Sequence, residues 1–236
     1  MTLPNSAEQF ISSVAALHPK LAVFDCDGTL WKADSGEQFF YWEMERGLLP
    51  ADVAEWARAR YAEYRAGRVD EETMCGEMVT IHRGISCEFI EREAAEFFEK
   101  KIVPVIFPEM LELTLGLRNA GCEVWAISST NDWVVRAGMR RFGITADRVL
   151  AACVHTENGC ATDRLVRVPT DEGKATAIRA LLPRMPDAVF GNSMHDFHMM
   201  ELGAHAFAIN PNPDLEIVAR ERKWLVYQPE KPITRR

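Results

Sequence analysis

Two acids one residue apart close an apolar run: Leu21, Ala22, Val23 and Phe24 are followed by Asp25, Cys26, Asp27, Gly28 and Thr29. The run reads as a fully buried strand of a parallel sheet, ended by a turn signal. Side chains alternate along an extended chain, so Asp25 and Asp27 leave it on one side and Cys26 on the other. Neighbouring carboxylates repel each other and lose hydration, and packing alone does not call for such a pair. A bound cation, or a proton held between the two, relieves the repulsion. Gly28 lets the chain turn sharply away from the strand, and Thr29 places a hydroxyl near the turn.

Something must hold this pair in place, and the rest of the sequence says what. The segments beginning at Ser35, Ala51, Val69 and Ser86 have helical spacing with Gly or Pro between them, which predicts a small helical bundle. From Cys122 onward the pattern changes. Strands are predicted at 122–128, 148–154, 187–192 and 205–210, with helices at 130–143, 172–183 and 195–203 between them. That alternation predicts an α/β fold with a mostly parallel sheet and crossover helices. The stretch 155–169 carries Asn158-Gly159 and alternating residues, so a hairpin is expected there.

The first strand cannot make a sheet alone. It is expected to join the later strands, with the bundle inserted after it. Ligands in such sheets bind beyond the carboxyl ends of the strands. Asp25 and Asp27 lie at one such end, Ser128 at a second, and Asn192 with Asp196 follow a third, while Lys174 sits near the start of a helix. A lysine is disfavoured there by the helix dipole, which mildly supports a functional role.

Composition narrows the partners. The chain has 236 residues, 47% of them hydrophobic, so it can bury a substantial core. Its 27 basic and 35 acidic residues give a net charge of -8, which offers no overall attraction to nucleic acid or an anionic membrane. Small molecules are the expected partners. No basic region precedes an apolar segment at the N-terminus and no apolar stretch is long enough to span a bilayer, so a soluble cytoplasmic protein is expected. The six cysteines form no CxxC pair and read as reduced, structural thiols. Cys26 is weighed as a nucleophile and placed in the core instead.

The segments "FDCDGTL", "AISST", "EGK" and "GNSMHD" occur in the order and spacing of the four motifs of the haloacid dehalogenase superfamily, and the chain most resembles its phosphoserine-phosphatase-like branch. The resemblance implies a Rossmann-like core of residues 1–33 and 110–236, with residues 34–109 as an inserted helical cap. It also implies a phosphomonoester hydrolase that uses Mg²⁺ and an aspartyl-phosphate intermediate on a small phosphorylated substrate. Asp25 then looks like the nucleophile and Asp27 like the general acid and base. Ser128 and Lys174 would stabilise the phosphoryl oxygens. Gly28, Thr29, Asp34, Ser129 and Thr130 fall where substrate is expected. Asp25, Asp27, Asn192 and Asp196 are the implied metal ligands.

Asn192 departs from the pattern, since the fourth motif usually begins with an aspartate after glycine. An amide oxygen can coordinate Mg²⁺ but brings no charge, so a phosphate-binding or regulatory protein with weakened catalysis is the alternative. Asp34 is placed near the acid that phosphoserine phosphatases use for the substrate ammonium. The arginine those enzymes use for the substrate carboxylate is absent from the segment 71–79, so phosphoserine is expected to be a poor substrate and a phosphomonoester with an amine or hydroxyl group to be preferred. His195 is read equally well as a surface histidine or a substrate contact. Phe39, Phe40, Tyr41, Trp42, Trp56, Tyr61 and Tyr64 read mostly as cap core, an aromatic cage being the lesser reading.

Overall fold

The computed structural model describes residues 6–230. Seven strands form one sheet: β1 (Leu21–Phe24), β2 (Glu123–Asn131), β3 (Val149–Glu157), β4 (Cys160–Arg167), β5 (Ala188–Gly191), β6 (His205–Ile209) and β7 (Leu225–Tyr227). Their spatial order is β4-β3-β2-β1-β5-β6-β7. All pairings are parallel except that of β3 with β4. The mostly parallel α/β sheet expected from the alternation of elements is present.

This order decides where a ligand can go. From β1 the chain winds outward through β2, β3 and β4, then returns to the other flank of β1 and winds outward through β5, β6 and β7. The direction reverses at β1, and a crevice opens at the carboxyl end of a strand where that happens. Asp25 is the first residue past that end.

The sheet buries both faces, as a parallel sheet must. Ala22 and Phe24 face one apolar cluster, with Phe10, Met110 and Val134, while Leu21 and Val23 face another, with Ile178, Met199 and Leu215. Phe24, Phe190 and Phe207 occupy matching positions on β1, β5 and β6. Their rings stack at 4.1 and 4.7 Å, tying the three strands together just below the crevice.

Ten α-helices accompany the sheet among the described residues. They are α1 (Ala7–Ala15), α2 (Ser35–Arg46), α3 (Ala51–Arg65), α4 (Glu71–Thr80), α5 (Cys87–Phe97), α6 (Pro108–Asn119), α7 (Asp132–Met139), α8 (Glu172–Leu181), α9 (Phe197–Met200) and α10 (Pro213–Glu221). Helices α2 to α5 lie in sequence between β1 and β2. Asp34 and Asp70 start α2 and α4 by accepting from the Glu37 and Thr73 amides at 2.8 and 2.7 Å. Gly47, with φ of +63°, ends α2.

These helices have an apolar cluster of their own around Phe40, Leu49, Ala57 and Met74. Phe39, Trp42, Ile90 and Phe97 instead join the cluster that covers the sheet. No helix among the described residues is long and apolar enough to cross a membrane.

Several elements differ from the sequence expectation. Strand β2 runs on to Asn131, with a bulge between Ser128 and Asn131. Helix α7 therefore starts at Asp132, its Val134 amide donating to Asn131 Oδ1, and stops at Met139 rather than near Gly143. The helix expected at 195–203 shrinks to a 3-10 turn, Met194–Asp196, followed by the four residues of α9. Helices α1, α6 and α10 and strand β7 were not anticipated. The hairpin does form, with Asn158 and Gly159 both at positive φ, +50° and +77°.

Candidate active site

Past β1 the chain stays pinned: the Asp25 amide donates to the Phe190 carbonyl at 2.9 Å. Its carboxylate is held on both oxygens, Oδ2 accepting from the Thr29 hydroxyl at 2.8 Å and Oδ1 from Lys174 Nζ at 2.7 Å. Lys174 also donates to Asp196 Oδ1 at 2.6 Å, so one ammonium is shared by two carboxylates. All three side chains are buried. Burial and repulsion from Asp196 push the Asp25 carboxyl up to about 7, against the pull of Lys174. Burial alone would lower the Lys174 ammonium, but its two acidic partners outweigh that and raise it. Cys26 points into the core, where burial raises its thiol well above the usual range.

Gly28 turns the chain with φ of +77°, and a Cβ built there would lie 2.0 Å from Asn192 Nδ2. Only glycine allows both that conformation and the close approach of Asn192. The turn leaves Asp27 facing the same cavity as Asp25. Its Oδ1 accepts from Trp31 Nε1 and the Ser35 amide, each at 2.6 Å, and its Oδ2 from the Thr130 hydroxyl at 2.7 Å. Three donors thus fix the orientation of the second acid.

The two acids open onto a cavity of about 490 Å³. Of the residues singled out in the sequence, Asp25, Asp27, Gly28, Asp34, Ser128, Ser129, Thr130, Lys174 and Asn192 line it. Two do not. Thr29 was expected at the substrate but is fully buried, with its hydroxyl committed to Asp25. Asp196 was expected on the metal but is also fully buried: Oδ1 accepts from Lys174, and Oδ2 accepts from the Asn192 and Ser193 amides at 2.8 and 3.1 Å. Its place is behind the cavity wall, where it holds Lys174 and the turn that presents Asn192.

Asp34 reaches solvent at the rim, yet the surrounding walls and the nearby charge of Asp27 push its carboxyl up to about 7. His195 also lines the cavity, with Nδ1 2.8 Å from Asp171 Oδ1. Asp171 has φ of +47°, an unusual conformation for a non-glycine residue, immediately before α8 and Lys174.

Among the described residues no three His, Cys, Asp or Glu side chains are grouped to hold a metal. A hard cation that keeps several waters needs no such group, only one or two carboxylates and other oxygens. Asp25, Asp27 and Asn192 all line the cavity and bring oxygen donors, the kind of ligand Mg²⁺ takes.

Sequence reasoning missed Trp31, whose indole holds Asp27. It also missed Asn210, which donates to the Gly28 carbonyl at 3.3 Å. The cavity walls contributed by α2, α3 and α4 include Glu37, Tyr61, Tyr64 and Glu71. The core expected for the tyrosines is present, Tyr61 lying within the apolar cluster of these helices and Tyr64 packed against it, and both also face the cavity. Tyr41 and Trp56 are exposed instead, so no cage of all seven aromatic residues forms.

Residues 22–201 match the haloacid dehalogenase-like hydrolase family. A protein of Neisseria meningitidis named histidinol-phosphatase is 27% identical over 87% of this chain and 97% of its own. A protein of Mycobacterium tuberculosis named phosphoserine phosphatase is 33% identical over 86% of this chain and 68% of its own. In fold, a Bordetella pertussis protein of unknown function is similar, with a TM-score of 0.77 at 24% identity over 87% of this chain and 96% of that one.

Proposed function

The chain belongs to the haloacid dehalogenase-like hydrolases, and on that premise we propose that it is a Mg²⁺-dependent phosphomonoester hydrolase that acts on a small phosphorylated metabolite through an aspartyl-phosphate on Asp25. The observation that carries this reading is the placement of Asp25. Its carboxylate stands at the end of the central strand on a cavity, held on both oxygens by Thr29 and Lys174, with Asp27 in the same cavity. The names of the two relatives support phosphoester hydrolysis.

The Asp25 carboxylate attacks phosphorus while the bond from phosphorus to the alcohol oxygen breaks, and the leaving alkoxide takes a proton from Asp27. Water then attacks the same phosphorus and gives its proton to Asp27. The bond to Asp25 breaks and inorganic phosphate leaves. The Thr130 hydroxyl can donate to Asp27 when it is a carboxylate and accept from it when it is an acid, so the contact survives both states. Ser128 and Lys174 line the same cavity, which supports the proposal that they hold the phosphoryl oxygens as charge moves.

When bound, Mg²⁺ would neutralise part of the charge shared by the phosphate and Asp25. The residues that would hold it are Asp25, Asp27 through its backbone carbonyl, and Asn192. An acid lies one residue from Asp25 with no use in cleaving a carbon-halogen bond, which favours phosphate esters over halides.

Asn192 favours a second reading, a phosphate-binding protein with weak turnover, because the amide brings no charge to the cation. Phosphate release from an aryl phosphate, with and without Mg²⁺, separates the two. Metal-dependent turnover lost in Asp25→Asn supports the hydrolase. Silence in the wild type, with turnover appearing in Asn192→Asp, supports the binding protein.

A further inference from the structure

The chemistry above uses only the floor of the cavity. The opposite wall is built by the inserted helices: Glu37 on α2, Tyr61 and Tyr64 on α3, and Glu71 and Cys75 on α4. The Tyr61 hydroxyl donates to Glu37 Oε1 at 2.8 Å, the Tyr64 hydroxyl donates to Glu71 Oε2, and the Cys75 thiol donates to Glu71 Oε1 at 3.6 Å. Burial and these acidic partners raise both phenols, so they remain donors at neutral pH. A phenol occupies part of a carboxylate's accepting capacity and leaves its charge in place.

Five carboxylates face this cavity, Asp25, Asp27, Asp34, Glu37 and Glu71, against two lysines. Lys174 is committed to Asp25 and Asp196, and Lys32 is exposed. No arginine lines the cavity among the described residues. Arg65, two-thirds exposed, comes no closer than 3.9 Å to Glu37. On an open surface such acids would simply be solvated. Here they wall the cavity whose floor holds Asp25.

A carboxylate on the substrate would meet like charge at this wall, with no guanidinium fork to receive it. A protonated amine or basic heterocycle would meet two carboxylates already oriented by tyrosines. We infer that this wall selects phosphomonoesters whose alcohol portion carries a cationic nitrogen and no carboxylate, with Glu37 and Glu71 setting the preference. The inference rests on the phosphomonoesterase reading and names the substrate class of the same site.

The test uses three esters of similar length: aminopropyl, propyl and carboxyethyl phosphate. In the wild type, kcat/KM is expected to be at least about tenfold higher for aminopropyl than for propyl phosphate, with carboxyethyl phosphate lowest. Glu37→Gln and Glu71→Gln should each shrink the amine preference, chiefly through KM for the amine. The wild-type ratio stands as a test even where a variant fails to fold, and added salt should reduce it. Equal turnover of the amine and neutral esters, or a preference for the carboxylate, would overturn the inference and leave the hydrolase reading intact. Failure to hydrolyse any of the three, or an aryl phosphate, would remove the hydrolase reading and this inference with it.

Discussion

Lys174 is the residue whose removal tests the electrostatic design of the site most directly. Its ammonium lies 2.7 Å from Asp25 and 2.6 Å from Asp196, and its side chain is 3% exposed. Lys174→Met keeps an apolar, unbranched chain and removes the charge. Two buried carboxylates would then face each other with no cation between them. Removing one partner of a buried ion pair destabilises a protein by about 3–5 kcal/mol. Because this lysine serves two acids, about 4–5 kcal/mol is expected.

In a chain of this length each kcal/mol shifts the melting temperature by roughly 2–4 °C. Scanning calorimetry in a chelator should therefore show a fall of about 8–20 °C for Lys174→Met. Lys174→Met with Asp196→Asn removes one of the stranded charges, so the double variant should recover part of the loss. The single variant should also release phosphate at least about 100-fold more slowly, as for loss of a donor to developing charge. A melting temperature within about 2 °C of the wild type would refute the argument that Lys174 holds these acids together.

Three further outcomes follow from separate parts of the structure. Thr130→Val removes the hydroxyl 2.7 Å from Asp27, and loss of a hydrogen bond to a charged group, about 1.5–3 kcal/mol, should lower kcat by roughly 10- to 100-fold with little change in KM in steady-state assays. Gly28→Ala forces a side chain into φ of +77° and into Asn192; it should destabilise the fold by at least about 1 kcal/mol in urea titrations and abolish phosphate release. The third concerns His82, which is fully buried against Glu43 and beside Trp133. Burial pulls its pKa down, but Glu43 wins and raises it above the ordinary value. A raised histidine contributes stability that is complete below its unfolded value, about 6.5, and fades as pH climbs through the folded value. The stability gap between wild type and Glu43→Gln should therefore be largest near pH 6 and narrow at alkaline pH. A gap that widens with pH would contradict it.

Much of the fold was legible because burial leaves strong marks. The run Leu21–Phe24 reads as a two-sided buried strand, and all four residues are buried. Asn158-Gly159 reads as a hairpin turn because few other pairs take positive φ twice. The parts that failed depend on distant partners. Helix α7 starts late because Asn131 caps it after a bulge in β2, and the bulge answers to pairing with β3. Helix α1 has only Phe10 and Val14 buried in nine residues, and Phe10 finds its stacking partner, Tyr227, at the far end of the chain. No local window contains that contact.

The site divides in the same way. Residue type and spacing picked out the acids and the lysine, but spacing alone does not say which side of a wall a carboxylate occupies. Asp196 follows Asn192 by one turn, and the reciprocal cap between Ser193 and Asp196 turns its carboxylate inward to Lys174. It therefore supplies charge to the site without touching the cavity. That placement also bears on the missing acid at Asn192. Asp196, buried and fully bonded, cannot swing out to replace it without breaking the Lys174 contact and two amide contacts at once. A dianionic ester entering a cavity lined by five carboxylates must instead bring or meet positive charge at both ends. At the floor Lys174 supplies it, joined on the proposed reading by a divalent cation; at the opposite wall the charged groups are Glu37 and Glu71, and on the inference above the matching charge belongs to the substrate.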